Sequence, residues 1–268
     1  MSKVIVSGAF DNLTVRGVRL LQEAARLGKV TVDLWPDSMI DSILGLAAKF
    51  PQNERAYFVK ALRSVSEVRI LPEEADPNAP EVDPADVFMV ENERLNPRLT
   101  SHCVENRISL VTIPEYQLAG FPLYAEDDDK PGSKKVIVTG CYDWLHSGHV
   151  RFFEEASEYG DLYVVAGNDA NIQMLKGKGH PLYPENRRRY LVSSIKYVHR
   201  ALISSGMGWM DAAPEVDLIR PDIYIVNEDG DVPEKQAFCQ EHGLEYVVLK
   251  RLPGPGLPRR QSTDLRGF

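Results

Sequence analysis

The sequence has no apolar run near the roughly 18 residues a membrane span needs, so no transmembrane segment is expected. Its opening, MSKVIVSGAF, lacks a basic stretch followed by an apolar one, so no signal peptide is expected either. Cysteine is scarce. Cys103, Cys141 and Cys239 are odd in number and show no C-x-x-C spacing, which argues against a disulfide framework or a zinc site and fits a reducing compartment. An excess of positive charge is also missing. Thirty-one Lys and Arg stand against 39 Asp and Glu, for a net charge of −8, and a duplex nucleic-acid partner is not expected. These absences together describe a cytoplasmic protein.

What remains is ordinary for a globular chain: 43% hydrophobic and 26% charged residues over 268 positions, enough for two domains that each bury a core. The two halves resemble each other. Val6–Lys29 and Val138–Asp161 align without a gap at an offset of 132, and nine of 24 positions are identical. The nine include Gly8/Gly140, Asp11/Asp143, Leu13/Leu145 and Arg19/Arg151. ERAYFVKALRSV from Glu54 echoes RRRYLVSSIKYV from Arg187 at offset 133, and DVFMVENE from Asp86 echoes DIYIVNED from Asp222 at offset 136. Echoes in constant order with slowly growing offsets imply a duplicated domain. The halves are expected at 1–123 and 135–268, joined over 124–134 by an acidic stretch containing Pro, Gly and Ser.

Each half alternates short apolar runs with amphipathic stretches. In the second half the predicted order is strand KVIVTG, helix GHVRFFEEASEYG, strand LYVVAG, helix NRRRYLVSSIKYV, strand ALIS, helix around 213–219, strand IYIV, helix PEKQAFCQEHG and strand EYVVLK. The expected fold class is α/β: two tandem Rossmann-like domains, each a parallel sheet with helices on both faces. Ligands in such sheets bind beyond the C-terminal ends of the strands. His146 and His149 fall there, where the first strand of the second half meets its helix. That place suits an anion, because first-turn N–H groups are unpaired and the helix dipole is positive. Gly140 and Gly148 are read as letting the backbone approach a ligand. The first half has Thr14, Arg16 and Gly17 where the second has His146, Gly148 and His149.

GCYDWLHSGHV resembles the G-x-x-D-x-x-H-x-G-H signature of the cytidylyltransferase-like nucleotidyltransferases, which join a nucleoside triphosphate to a phosphorylated alcohol and release pyrophosphate. The resemblance covers most of residues 134–268. It implies that His146, His149, Lys176 and Arg188 are catalytic. Lys176, in MLKGKGHPLYPENRRRYLV, matches a phosphate-binding lysine, and Arg188 an arginine of the following helix. His180-Pro181 stands where many relatives have Arg-Pro. The resemblance also places Gly140, Tyr142, Asp143, Gly148, Asp229, Ser262, Thr263 and Arg266 at the nucleotide. Asp229, in IVNEDGD, matches an aspartate at a strand end. RLPGPGLPRRQSTDLRGF is similar to a family segment whose hydroxyls hold the triphosphate. For Asp143 two readings stand: it organises the site, or it holds the strand–helix loop together, since the first half keeps Asp11.

What the resemblance implies is transfer of CMP from CTP to a small phosphorylated alcohol or sugar, with Mg²⁺ bound through the nucleotide phosphates and no metal held by protein ligands alone. The alternatives are an adenylyltransferase using ATP and a nucleotide-binding regulatory protein. The tandem form is similar to ethanolamine-phosphate cytidylyltransferases, except that here the first copy is the degenerate one. Single-domain relatives pair as dimers, so an intramolecular pseudo-dimer or a homodimer is expected.

Overall fold

The computed structural model describes residues 3–125 and 132–261. The chain divides into two compact units, Met1–Gly120 and Phe121–Phe268. The division falls slightly before the expected boundary because Phe121 and Tyr124 pack against the ring of Tyr190 in the second unit.

In the first unit the elements are β1 (Lys3–Gly8), α1 (Val15–Ala25), β2 (Lys29–Leu34), α2 (Asp37–Leu44), α3 (Gln52–Lys60), β3 (Val65–Ile70), β4 (Val87–Glu91), α4 (Pro97–Glu105) and β5 (Ser109–Ile113). The second unit has β6 (Lys135–Gly140), α5 (Ser147–Ser157), β7 (Asp161–Ala166), α6 (Asp169–Lys176), α7 (Glu185–Ser193), β8 (Arg200–Ile203), α8 (Ala213–Ile219), β9 (Ile223–Asn227), α9 (Pro233–His242) and β10 (Glu245–Leu249). The strand orders are β3-β2-β1-β4-β5 and β8-β7-β6-β9-β10, the same topology twice, and every pairing is parallel. β7 is buried along its whole length and β6 at Val136, Ile137 and Val138, as near-continuous apolar runs demand when both sheet faces are covered. One face of the second sheet packs Ile137, Tyr163, Val165 and Val226 against Val216, Ile219 and Cys239 of α8 and α9.

Two elements differ from the sequence reading. α6 was not anticipated. Its start is set by Asn168, whose side chain accepts from the Asn171 N–H. α7 stops at Ser193 rather than running on to Val198. The hydroxyls of Ser193 and Ser194 bond back to the carbonyls of Tyr190 and Leu191 and compete with the helical ladder. Among the described residues no helix is long and apolar enough to cross a membrane.

The order reverses beside β6: β7 lies to one side and β9, reached by a crossover, to the other. A crevice is expected at this switch point, beyond the carboxyl ends of β6 and β9.

Candidate active site

A cavity of about 610 Å³ opens at that point. Its floor is the turn after β6. Tyr142 adopts φ +51°, which a non-glycine residue reaches only at a cost, and its ring folds back over Gly140. A Cβ on Gly140 would lie 2.8 Å from that ring, so the glycine makes room for the tyrosine rather than for a ligand. The first half repeats the device: Phe10 sits at φ +45° over Gly8. What the second half adds is the Tyr142 hydroxyl, buried in the cavity wall and without a hydrogen-bond partner among the described residues.

Asp143 accepts from the N–H groups of Leu182 and Tyr183 at 2.7–2.9 Å, tying the turn to the loop before α7. Asp11 does the same for Lys49 and Phe50. The loop-holding reading of this aspartate accounts for these bonds, and since Asp143 also lines the cavity the site-organising reading stands beside it.

α5 begins with a histidine cap. His146 is the N-cap in extended conformation, and its Nδ1 accepts from the Gly148 N–H at 3.1 Å. His149, at the third helical position, turns Nδ1 back to the His146 N–H at 3.4 Å. The rings stack 4.0 Å apart, and Tyr142 meets His149 edge-on. Gly148 is fixed by this packing, because a Cβ there would lie 3.0 Å from the His146 ring. With both Nδ1 atoms accepting, a neutral imidazole carries its proton on Nε2. His146 is 2% exposed, and its Nε2 has no partner among the described residues. Burial, with Arg251 and Arg260 nearby, holds the His146 pKa down at about 3. Burial, His146, Arg251 and Lys176 hold that of His149 well below the usual range. Both rings are therefore neutral donors at pH 7, set at a helix N-terminus in a field of cations.

Lys176 ends α6 and lines the cavity, as do Asp229 and Gly148. Asp229 is ion-paired with Arg251. Arg188 is not brought to the cavity. It is 1% exposed, and its guanidinium donates to the carbonyls of Tyr183, Cys141 and Gly167 and to the Asp169 carboxylate at 2.6–2.9 Å. Arg55 of the first half makes the matching four bonds, to Phe50, Ala9, Trp35 and Asp37. The guanidinium is spent on loop carbonyls in both copies, so direct contact with a phosphate gives way to a positioning role. Ser262, Thr263 and Arg266 lie outside the described residues. Lys235 and Arg251 line the cavity and were missed by the sequence reading. Arg251 opens the RLPGPGLPRR segment, and that segment was a usable signal.

The corresponding place in the first half is built from an ion cluster. Arg16 stands where the second half has Gly148. It pairs with Glu91 at 2.8 Å, Glu93 at 2.5 Å and Glu115 at 3.3 Å. At offset 136 these carboxylates replace Asn227, Asp229 and Arg251. Arg94, replacing Gly230, lies over the Trp35 ring and reaches the Ser7 carbonyl. Arg16 is thus no anion site, since three acids already hold it.

Among the described residues no group of three His, Cys, Asp or Glu could hold a metal ion.

Comparison with known proteins adds the following. Residues 137–249 match the cytidylyltransferase-like family. An FAD synthase of Aciduliprofundum boonei is 35% identical over 136 residues, half of this chain and 84% of that protein. A bifunctional protein HldE of a Nitratiruptor species is 35% identical over 134 residues, 49% of this chain but only 28% of that protein. A solved structure, the lipopolysaccharide core biosynthesis protein from Thermoplasma volcanium, is 27% identical over 45% of this chain and 99% of its own. Its TM-score of 0.40 is too low to argue from.

Proposed function

The chain belongs to the cytidylyltransferase-like family of nucleotidyltransferases, and we propose that its second half transfers a nucleotidyl group from a nucleoside triphosphate to a small phosphorylated alcohol or sugar. A phosphate oxygen of the acceptor attacks the α-phosphorus. The bond from the α-phosphorus to its bridging oxygen breaks, and pyrophosphate leaves with that electron pair. The nucleophile is already an anion, so the protein need only orient the partners and stabilise developing charge.

The observation that carries this reading is the histidine cap. Two neutral imidazoles are locked by their Nδ1 atoms, and the Nε2–H of His146, without a partner among the described residues, is left to serve a phosphate oxygen at the positive end of α5, with His149 lining the cavity beside it. Lys176 and Arg251 add charge on the same cavity wall. Arg188 acts through the loops it ties, and Gly140, Tyr142 and Asp143 hold the floor. Asp229 orients Arg251, and Ser262, Thr263 and Arg266 are assigned to the triphosphate by resemblance alone. Mg²⁺ would be held through the nucleotide's phosphate oxygens and would neutralise part of their charge.

The donor base is the finer question. The sequence reading favours CTP. The FAD synthase relatives favour ATP, because FAD contains an adenylyl group that such a synthase must supply. Pyrophosphate release from each nucleotide with a panel of phosphomonoesters separates the two. In the same assay His149→Ala is expected to lower kcat by about 10²-fold or more, the usual effect of losing a donor aimed at developing charge. Near-wild-type turnover would remove the histidine from the mechanism.

A further inference from the structure

Two tyrosines of the second half have phenylalanine as their counterpart in the first. At offset 132 Tyr142 corresponds to Phe10, and each ring lies at positive φ over the glycine that ends the first strand of its sheet. At offset 136 Tyr224 corresponds to Phe88, and both are buried beside that strand, Tyr224 opposite Ile137 and Phe88 opposite Ile5. The fold therefore holds both rings without a hydroxyl, and the half that carries the histidines adds two. The additions are not equivalent. The Tyr224 hydroxyl lies 2.8 Å from that of Thr139 and is satisfied within the protein. The Tyr142 hydroxyl has no hydrogen-bond partner among the described residues, although the residue is only 5% exposed. A buried hydroxyl left unpaired costs stability, and phenylalanine would avoid that cost in the same turn.

The surroundings of Tyr142 indicate what would pair with it. Its ring meets His149 edge-on, with centroids 5.4 Å apart, and His149 stacks on His146 at 4.0 Å. The three rings form one packed wall of the cavity. Burial raises the Tyr142 pKa well above the usual range, so the phenol keeps its proton, as each imidazole keeps one. The charges acting on the two histidines are cations, Arg251, Arg260 and Lys176. The carboxylate next in sequence, Asp143, accepts from the N–H groups of Leu182 and Tyr183, and that of Asp229 pairs with Arg251. A wall of neutral donors among cations suits an anionic oxygen, and a hydrogen bond to such an oxygen is about twice as strong as one between neutral groups.

We propose that the Tyr142 hydroxyl is a further ligand contact, donating to an oxygen of the phosphate chain that the histidine cap holds. The assignment concerns the hydroxyl and not the turn it stands on, which both halves share. It rests on the phosphate-binding part of the nucleotidyl-transfer reading and not on the transfer itself.

The test is Tyr142→Phe in the full chain, the side chain that the first half holds at the matching position. Its melting temperature is expected to equal or exceed that of the wild type. Calorimetric titrations use CTP, ATP and inorganic tripolyphosphate, which carries three phosphates without sugar or base. Kd for tripolyphosphate, and for whichever nucleotide binds, is expected to rise about tenfold or more, the scale of one hydrogen bond to a charged group. Tyr224→Phe removes a hydroxyl that already has its partner and is expected to change the same constants less than about twofold. Unchanged binding by Tyr142→Phe would mean that the hydroxyl meets only water. A loss seen with a nucleotide but not with tripolyphosphate would mean that it reads sugar or base. An equal loss in Tyr224→Phe would mean that the polarity of the floor matters and not a contact. Each of these overturns the assignment. Tripolyphosphate binding that Tyr142→Phe weakens supports it even if the wild type never releases pyrophosphate from a nucleotide. Pyrophosphate release by a wild type whose affinities Tyr142→Phe leaves unchanged keeps the transfer reading and defeats the assignment. A wild type that binds none of the three ligands defeats both.

Discussion

Arg188 and Arg55 each satisfy three carbonyls and one carboxylate from a guanidinium that water does not reach. Removing either leaves those acceptors unpaired, so Arg188→Ala and Arg55→Ala are each expected to lower unfolding free energy by about 3–5 kcal/mol. Denaturant unfolding measures this. A fully stable Arg188→Ala protein with reduced kcat would return the residue to the substrate. The signal for this role was present in the sequence, since the echo at offset 133 sets Arg55 opposite Arg188. A residue retained by the copy that has lost the histidines belongs to the fold. The place of His146 and His149 at the start of α5 was legible because it depends on local spacing, whereas the turn glycines make room for neighbouring rings rather than for a ligand. The direction of a guanidinium, toward loop carbonyls or toward a ligand, is set by tertiary packing, and no local pattern carries it. Lys235 was hidden for a related reason: only the tertiary fold brings it to the cavity.

At the scale of the element, α5 and α1 are the same helix with different caps. Thr14 caps α1 through a bond from the Gly17 N–H at 3.1 Å. α5 uses imidazoles instead, and the consequence is a dependence on pH. The folded-state pKa of His146, about 3, lies below the roughly 6.5 of an unfolded histidine, and that of His149 is depressed too. The unfolded chain therefore binds more protons than the folded one between these values. Stability is full above about pH 6.5 and is lost on acidification toward pH 3, by up to about 1.4 kcal/mol per pH unit for each histidine. Replacing His149 with glutamine is expected to flatten that slope in acid-unfolding experiments. Phosphate oxygens brought against the rings raise both pKa values, so nucleotide binding is expected to take up protons increasingly as the pH falls below 6 toward the range in which the free rings titrate. Calorimetry in buffers of different ionisation enthalpy measures that uptake, and its absence across the whole acid range would mean that the triphosphate lies away from α5. Strand positions in the second half followed from the apolar runs, while the strand order did not, since no local pattern carries it. The end of α7 did not, because the back-bonding of Ser193 and Ser194 is a choice between two sets of carbonyls.

For the whole molecule, the two units solve one electrostatic problem in opposite ways. The second lines an open cavity with cations and donors. The first supplies its own anions to Arg16. Saturating nucleotide, at 100 times its dissociation constant, is therefore expected to stabilise the second unit by about 2.7 kcal/mol and the first not at all. Calorimetric scans should show one transition that moves with nucleotide and one that does not. The first, with its exposed ion cluster, is the one expected to weaken with salt. A nucleotide-dependent shift of both transitions would mean that the first half retains a working site.

The Arg16 cluster also bears on how the two halves can change. Arg16→Gly alone would leave Glu91, Glu93 and Glu115 facing one another without a counter-charge, and replacing one glutamate still leaves the arginine across the opening. Removing Arg16 first leaves the acids more repulsive, and removing one acid first, though it brings the set nearer balance, leaves Arg16 in place. Regaining a ligand site there therefore calls for Arg16 and its acids to change together, whereas the second half can be silenced one residue at a time.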